Sequence, residues 1–222
     1  MREFSVHILF VLLLGCVLGC ERELPYQAPP EKPIVGYQIE GYITDRLGIP
    51  LRGVRVAVWY DYEFVDTLRY PTPIFFVDDS TKVARVQVFD RNRKVKAVLF
   101  SGRSPVGFME VAWDKRDAAG VSVPSGIYTV DFSMGGVSRA SYTVVVDGAV
   151  TAVTDSLGHY VIPDENLPVG FYPVPRQGYS DPRSSSNYRI TPFVALELYL
   201  DFRRGISLSL TKNQVTRRDF II

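Results

Sequence analysis

An alternation of apolar and polar residues with a period of two runs through the chain from Val35 onward. In "VGYQIEGYI" one face carries apolar or small residues, whereas Gln38 and Glu40 lie on the other face. The alternation resumes in "VRVAVWY" after the turn-rich residues 44–53. This period is typical of half-buried strands, and 15 prolines leave little room for long helices. The sequence therefore predicts an all-β protein.

The aromatic and β-branched content supports the same fold class. The chain contains 13 tyrosines and 13 phenylalanines together with abundant valine, and these residues favour strands over helices. Several later segments keep the two-residue period, and in each of them the apolar positions are aligned on one face. Those positions are Val54, Val56, Val58, Tyr60, Ala84, Val86, Val88, Met109, Val111, Trp113, Tyr128, Val130, Phe132, Tyr142, Val144, Val146, Val194, Leu196, Leu198 and Leu200.

The N-terminal stretch "MREFSVHILFVLLLGCVLGC" has the layout of a secretory signal. Arg2 precedes an apolar run over residues 4–14, although Glu3 dilutes the positive charge of this region. The motif "VLGC", which ends at Cys20, resembles the bacterial lipobox, in which the cysteine is acylated and becomes the mature N-terminus. "LLGC", which ends at Cys16, offers a second register, but Cys20 leaves the longer apolar region. The alternative is an uncleaved membrane anchor, for which the run is short.

Cys16 and Cys20 are the only cysteines, so the rest of the chain has no disulfide and no cysteine ligand or nucleophile. Residues 1–20 are predicted to be a lipoprotein signal peptide, and the proline-rich residues 21–34 an extended linker that lifts a domain off the lipid surface. Glu21, rather than an aspartate, follows Cys20, which favours the outer membrane by analogy with Gram-negative lipoproteins. We therefore expect a bacterial cell-envelope protein that is held to the membrane by an N-terminal lipid.

Two motifs resemble those of carboxypeptidase-regulatory-like domains, a transthyretin-like β-sandwich family. "GYITDRLGIPLRGVRVAV" (residues 41–58) has the family's strand, Thr-Asp-x-x-Gly turn and Pro-Leu-x-Gly step, and "TDSLGHYVIPDENLPVG" (residues 154–170) has its second hairpin. In this hairpin we expect Asp155 to bond backbone N–H groups, Gly158 to take a positive φ and Tyr160 to enter the core. The resemblance implies a structural or binding accessory without peptidase activity.

The residues between these two motifs resemble the Ig-like domain of the flagellar hook-capping protein. The stretch "WDKRDAAGVSVPSGIYTV" (residues 113–130) is therefore interpreted as turn chemistry between strands rather than as a catalytic loop. Asn92 and Arg93 stand where that family commonly has a glycine, which predicts a less tight hairpin. Over residues 77–146 the family pattern is matched by Val86, Phe89, Asp90, Trp113, Asp114, Asp117, Gly120, Pro124, Gly126 and Tyr128.

Together the two resemblances predict two β-sandwich modules, one inserted in the other. Residues 35–66 and 147–222 are expected to form a discontinuous carboxypeptidase-regulatory-like sandwich, and residues 67–146 an inserted Ig-like sandwich. Such an insertion at an exposed hairpin tip is tolerated because closing a longer loop costs little free energy.

Few residues of the predicted modules are suited to catalysis. His159 is the one histidine after the signal, and its position in the hairpin predicts an outward strand residue. Asp78 with Asp79, and Asp114 with Asp117, offer the hard oxygen ligands that Ca²⁺ takes, but turn capping explains them without a metal. No catalytic residue, metal or cofactor is predicted. A formal charge of +1 gives no field that predicts nucleic-acid binding.

Two aromatic clusters are the best candidates for binding. "WYDYEF" contains Trp59, Tyr60 and Tyr62, and "FYPVPRQGY" covers residues 171–179. Exposed aromatic faces stack on sugar rings or on partner proteins, whereas in the alternative interpretation these rings fill the core and the junction between the modules.

The function predicted from these features is non-catalytic. We expect a structural or protein-interaction module whose partner is another envelope protein or a glycan. The alternative is a carbohydrate-binding module that uses Trp59, Tyr60 and Tyr62, and a hydrolase that depends on His159 is a third option.

Overall fold

The folded part of the protein is built from strands. The computed structural model describes residues 35–68, 75–175, 185–200 and 203–222. Within these ranges the regular structure consists of strands and a single turn of 3-10 helix at Asp164–Asn166. The prediction of an all-β protein is confirmed.

The strands form where the two-residue alternation is strongest. In β1, for example, Ile39, Gly41 and Ile43 are buried while Tyr42 between them is exposed. The strands in chain order are β1 (Tyr37–Thr44), β2 (Arg55–Leu68), β3 (Phe75–Val77), β4 (Ala84–Phe89), β5 (Val95–Gly102), β6 (Gly107–Met109), β7 (Gly126–Met134), β8 (Val137–Val146), β9 (Val150–Val153), β10 (His159–Ile162), β11 (Gly170–Pro175), β12 (Ser185–Tyr199), β13 (Arg203–Ser209), β14 (Gln214–Arg217) and β15 (Phe220–Ile221).

These strands form four sheets. Sheet I has the order β10-β1-β14, and β15 continues beside the end of β1. Sheet II has the order β11-β12-β2-β9, and β13 also pairs with β12. Sheet III is the pair β3-β6, and sheet IV has the order β5-β4-β7-β8. Sheets III and IV thus use only the consecutive strands β3 to β8, while sheets I and II use the strands before and after them.

Sheets I and II enclose a first hydrophobic core. Ile39 and Ile43 of β1 and Val56 and Val58 of β2 are fully buried, and so is Leu196 of β12. Fully burying an aliphatic side chain of this size contributes about 1.5–3 kcal/mol. The alternation in the sequence therefore identified the inward face of these strands correctly.

Sheets III and IV enclose a second hydrophobic core, which contains Val86, Val130 and Phe132. The alternation of Met109, Val111 and Trp113 extends past the strand, because β6 ends at Met109. Trp113 lies beyond the strand but still packs against this core, with its ring edge-on to Tyr128 at a centroid distance of 5.2 Å. Its indole N–H donates to the Arg116 carbonyl at 2.8 Å, so the tryptophan closes the turn as well as the core.

Polar side chains join the two cores. The buried Ser125 hydroxyl accepts the Ala149 N–H at 2.9 Å and lies 2.9 Å from the Val58 carbonyl oxygen of sheet II. The Asn166 amide donates to the Ser125 carbonyl at 2.8 Å. Arg91, in the β4–β5 turn, pairs with the Asp164 carboxylate at 3.1 Å. The described residues form one compact unit, and the proposed module boundaries inside it stay a prediction.

We expect Ser125→Ala to destabilise the protein by about 1–3 kcal/mol. It leaves the part-buried Ala149 N–H without its hydrogen-bond partner and removes one of the hydrogen bonds to the buried Val58 carbonyl. Urea unfolding measures this change. Ser138→Ala is the matched control: it removes an exposed hydroxyl bonded to Asp131, and its effect should stay within about 0.5 kcal/mol. Equal effects of the two substitutions would contradict the role assigned to Ser125.

Four turns are closed by the same arrangement around an aspartate. In each of them, one carboxylate oxygen accepts the backbone N–H groups two and four residues later, at 2.8–3.0 Å. The aspartate carbonyl also accepts the N–H three residues later. The predictions for Asp155, Gly158 and Tyr160 are confirmed, since Gly158 has φ +72° and Tyr160 is buried. The four residues are Asp45, Asp90, Asp117 and Asp155.

The hairpin at Asp90 is as tight as the other three, and the prediction of a looser turn there is wrong. Arg93 itself takes the left-handed conformation, with φ +62°, that Gly48 and Gly158 take in the related turns. Its guanidinium lies 4.8 Å from the centre of the Phe89 ring. Stacking on this ring and the two backbone N–H hydrogen bonds that the Asp90 carboxylate accepts offset the strain of about 1 kcal/mol that a side chain meets at such a φ.

We expect Gly158→Ala to destabilise the protein by about 3 kcal/mol or more, since a Cβ there would lie 2.5 Å from the Ile43 carbonyl oxygen as well as at a positive φ. Gly48→Ala is the matched control: it has the same positive φ but open space around the added Cβ, and should cost about 1 kcal/mol. Thermal unfolding of the two variants gives the comparison, and a cost for Gly48→Ala as large as that of Gly158→Ala would show that the close approach is unimportant.

Candidate functional site

The structure separates the three aromatic residues that the sequence groups together. Successive side chains of a strand point to opposite faces, so Trp59 lies on one face of β2 and Tyr60 and Tyr62 lie on the other. Trp59 is 42% exposed and Tyr62 is 36% exposed, but Tyr60 is 7% exposed and belongs to the first core. The prediction of Tyr60 as an exposed binding residue is therefore wrong, because its strand position places it opposite Val194 inside the sandwich.

Tyr60 is hydrogen-bonded to Asp147, and the Tyr62 ring packs edge-on against Tyr60 at a centroid distance of 6.5 Å. The Asp147 carboxylate accepts the Tyr60 backbone N–H at 2.8 Å. The Tyr60 hydroxyl donates to the Asn166 carbonyl at 2.8 Å. Burial raises the pKa of Asp147, and burial likewise raises the pKa of both tyrosines. These groups hold the segment between β8 and β9 against sheet II.

Trp59 is held in place on the opposite face of sheet II. Its indole N–H donates to Glu197 Oε2 at 2.8 Å. On the other side, the six-membered ring lies against Gly148, where an added Cβ would come within 2.4 Å of the ring carbon Cζ2. The Tyr199 hydroxyl lies 3.4 Å from the Gly148 carbonyl oxygen, and the Arg55 guanidinium lies 5.8 Å from the centre of the Tyr199 ring.

These contacts fix the direction in which the indole lies. Glu197 of β12 pairs with Ala57 of β2, while the Gly148 N–H donates to the Val58 carbonyl on the opposite edge of β2. A ring that touches both Glu197 and Gly148 must cross β2 at the level of Ala57. Ala57 lies on the same face as Trp59 and is fully buried, as expected if the ring covers it. The indole therefore lies across the sheet.

The surroundings of the indole are small and polar on the side of β12 and β13. Ala195 pairs with Trp59, and Ser207 pairs with Ala195, so the three residues lie side by side on one face. Ser207 and Ser209 are exposed, and so is Phe193. We call this surface the Trp59 face. It comprises Trp59, Phe193, Ala195, Glu197, Ser207 and Ser209.

Glu197, Gly148 and Ser207 were not identified from the sequence. In "LELYL" and "ISLSL" the period of two does place Glu197 and the serines on the side away from the leucines. It does not tell which strands pair with β2 or in which register. That information comes only from the tertiary structure.

The remaining candidate residues act within the fold. His159 points outward, as predicted, and its ring packs against Tyr42 at a centroid distance of 4.9 Å. The turn-capping interpretation is confirmed for Asp79, Asp114 and Asp117, since each carboxylate accepts a backbone N–H two residues later. In the described ranges no group of three or more His, Cys, Asp or Glu side chains is placed to hold a metal ion.

The other predicted features lie partly or wholly outside the described residues. Phe171 at the start of the second aromatic cluster is exposed, and the Arg189 guanidinium lies 5.9 Å from the centre of its ring, whereas residues 176–179 are not described. Cys16 and Cys20 also fall outside the described residues. Among the residues that are described, no helix has the length and apolar character needed to cross a bilayer.

Comparisons with models of protein families, with curated proteins and with solved structures found no match to this chain.

The turn at Asp155 makes the stability of the protein depend on pH. Hydrogen bonds from the His159 and Leu157 N–H groups lower the pKa of the Asp155 carboxyl in the folded protein. A lowered folded-state pKa stabilises the protein above the unfolded pKa of about 4, and this contribution is lost as the pH falls through the folded-state pKa. Asp155→Asn removes this contribution of the carboxylate to stability. We therefore expect the stability difference between wild type and variant to be largest at neutral pH and to shrink below about pH 4. Urea unfolding at several pH values measures this difference, and one that does not change with pH would contradict the assignment.

Proposed function

We propose that the chain is a non-catalytic, lipid-anchored protein of the bacterial cell envelope and that it acts as a structural or protein-interaction module. In this proposal Cys20 carries the lipid, residues 21–34 form the tether, and the anchor lies in the outer membrane. The partner is another envelope protein. The lipobox-like "VLGC" motif and the proline-rich stretch after it support the anchor.

The hydrogen-bonded junction between the two cores carries the proposal of a structural role. Ile127, two residues after Ser125, packs with the first core although its strand belongs to sheet IV. Ser125, Asn166 and Arg91 add polar links between the same parts of the chain. Domains that are joined only by a linker move relative to one another by default, whereas a junction with buried contacts restrains that motion. A restrained pair of sandwiches suits a protein that holds a partner at a set distance from the membrane.

The strands divide between the two proposed modules. We propose that β3 to β8 form the inserted Ig-like module and that the remaining strands form the carboxypeptidase-regulatory-like module. Two separate hydrophobic clusters support this division: the buried residues of the second all lie within residues 75–146, and Ile127 is the one buried residue of the first that comes from β3 to β8. The resemblance to non-catalytic accessory domains and the use of Asp117 and Asp155 carboxylates for turn hydrogen bonds support a role without chemistry.

The anchor is tested by replacing each cysteine separately in the full-length chain. We expect Cys20→Ser to abolish incorporation of labelled palmitate. Cys16→Ser is the matched control and should retain both the label and the membrane association. Palmitate labelling followed by membrane fractionation of the producing bacterium measures both properties.

Two outcomes would contradict the proposal. Loss of the label in Cys16→Ser but not in Cys20→Ser would move the lipid to the other register. Persistence of the membrane association without any label in the wild-type protein would indicate an uncleaved anchor instead of a lipid.

A further inference from the structure

We propose that the Trp59 face binds an uncharged polysaccharide chain. This inference goes beyond the structural role and does not depend on the lipid anchor. It replaces the trio of Trp59, Tyr60 and Tyr62 by a different set of residues, which share one face of sheet II. Three features carry it: a fixed and exposed indole, exposed hydroxyl groups on the neighbouring strands, and a local balance of charge.

The indole is fixed before any ligand arrives. Its N–H is bonded to Glu197 Oε2 at 2.8 Å and its six-membered ring rests on Gly148, so it keeps one orientation across β2. These two contacts involve Nε1 and the neighbouring ring carbons, and 42% of the side chain is still exposed. Holding the ring in its binding orientation reduces the entropy lost on association. A fixed, open aromatic face is well suited to stack on the apolar C–H face of a pyranose ring.

The hydroxyl groups indicate a ligand longer than one sugar. Ser207 of β13 lies two strands away from Trp59 of β2, and neighbouring strands are about 4.8 Å apart. Ala195 lies between them, and its short side chain leaves space above the strands for a ligand. A ligand that stacks on the indole and also bonds the Ser207 hydroxyl must therefore reach roughly 10 Å across the sheet, which requires a chain of sugars.

The charges on and beside this face favour an uncharged ligand. The Glu197 carboxylate lies directly beside the indole and disfavours an anionic sugar at that position. The Arg55 guanidinium lies over Tyr199, at the strand end where β2 and β12 begin their pairing. By strand register, Asp61 of β2 and Arg203 of β13 also lie on this face, Arg203 opposite Tyr199. The formal charges of Glu197 and Asp61 are therefore matched by those of Arg55 and Arg203. Recognition therefore depends on stacking and on hydroxyl hydrogen bonds.

The full-length chain is titrated with a panel of uncharged hexasaccharides built from glucose, xylose, mannose or N-acetylglucosamine. Binding is measured by calorimetry and by tryptophan fluorescence. We expect at least one member to bind with a Kd of about 1 mM or lower. The chain has two tryptophans, so Trp113→Phe isolates the fluorescence of Trp59, and this variant should bind as the wild type does.

Two variants disrupt the Trp59 face in different ways. Trp59→Ala should weaken binding about tenfold or more, because the stacking surface is lost. Ser207→Arg places a bulky side chain on the path of the ligand at an exposed position and should weaken binding to a similar extent without altering the core. Phe108→Ala, which removes an exposed aromatic ring from sheet III, is the matched control and should leave the affinity unchanged.

Folding of each variant is checked by far-UV circular dichroism before titration. The proposal is overturned if no member of the panel binds the wild-type chain. It is also overturned if Ser207→Arg, or a folded Trp59→Ala, binds as tightly as the wild type. A face that binds no saccharide but is covered when the protein is cross-linked in cells would be a protein contact instead.

Discussion

The hydrogen bonds between an aspartate carboxylate and the backbone N–H groups of its own turn determine much of this structure. Each such turn fixes where one strand ends and how the next chain segment is aligned with it. A shift of one residue in register would exchange the inward and outward faces of a strand, so the turns at Asp45 and Asp155 help to decide which residues reach the first core. A protein without disulfides in its folded part relies on such local bonds to select one register. The exposure of Trp59 and the burial of Tyr60 both follow from that selection.

The junction between the two cores uses polar groups where an apolar contact would be less specific. A buried hydroxyl such as that of Ser125 is costly unless its partners are placed correctly, and here they come from β2 and from the segment before β9. The same positions also bring Asn166 and Tyr60 into one chain of hydrogen bonds. Correct docking of sheets I and II on sheet IV is therefore required before these groups are satisfied, which couples the folding of the two cores.

The periodicity of the sequence predicted the fold class and most inward residues, because an alternation of two is a local property of a strand. The Thr-Asp-x-x-Gly motif predicted the turn at Asp155 and the positive φ of Gly158 for the same reason. The candidate site was harder to predict from the sequence. Trp59 was found from its residue type, but Glu197 and Gly148 are brought to it by strand pairing over long sequence separations, which alternation does not encode. The geometry of Arg93 was missed because stacking on Phe89 and the bonds to Asp90 compensate for a conformation that a glycine would adopt without strain.

Gly148 has a second role that follows from its position in the chain. It lies on the crossing segment by which the polypeptide leaves β8 and enters β9, and its N–H bonds the Val58 carbonyl while its backbone supports the indole. Tension that pulled sheet IV away from sheet II would act on this segment early, and would tilt the indole before the first core was disturbed. The fluorescence of Trp59 would then register mechanical strain between the two halves of the protein.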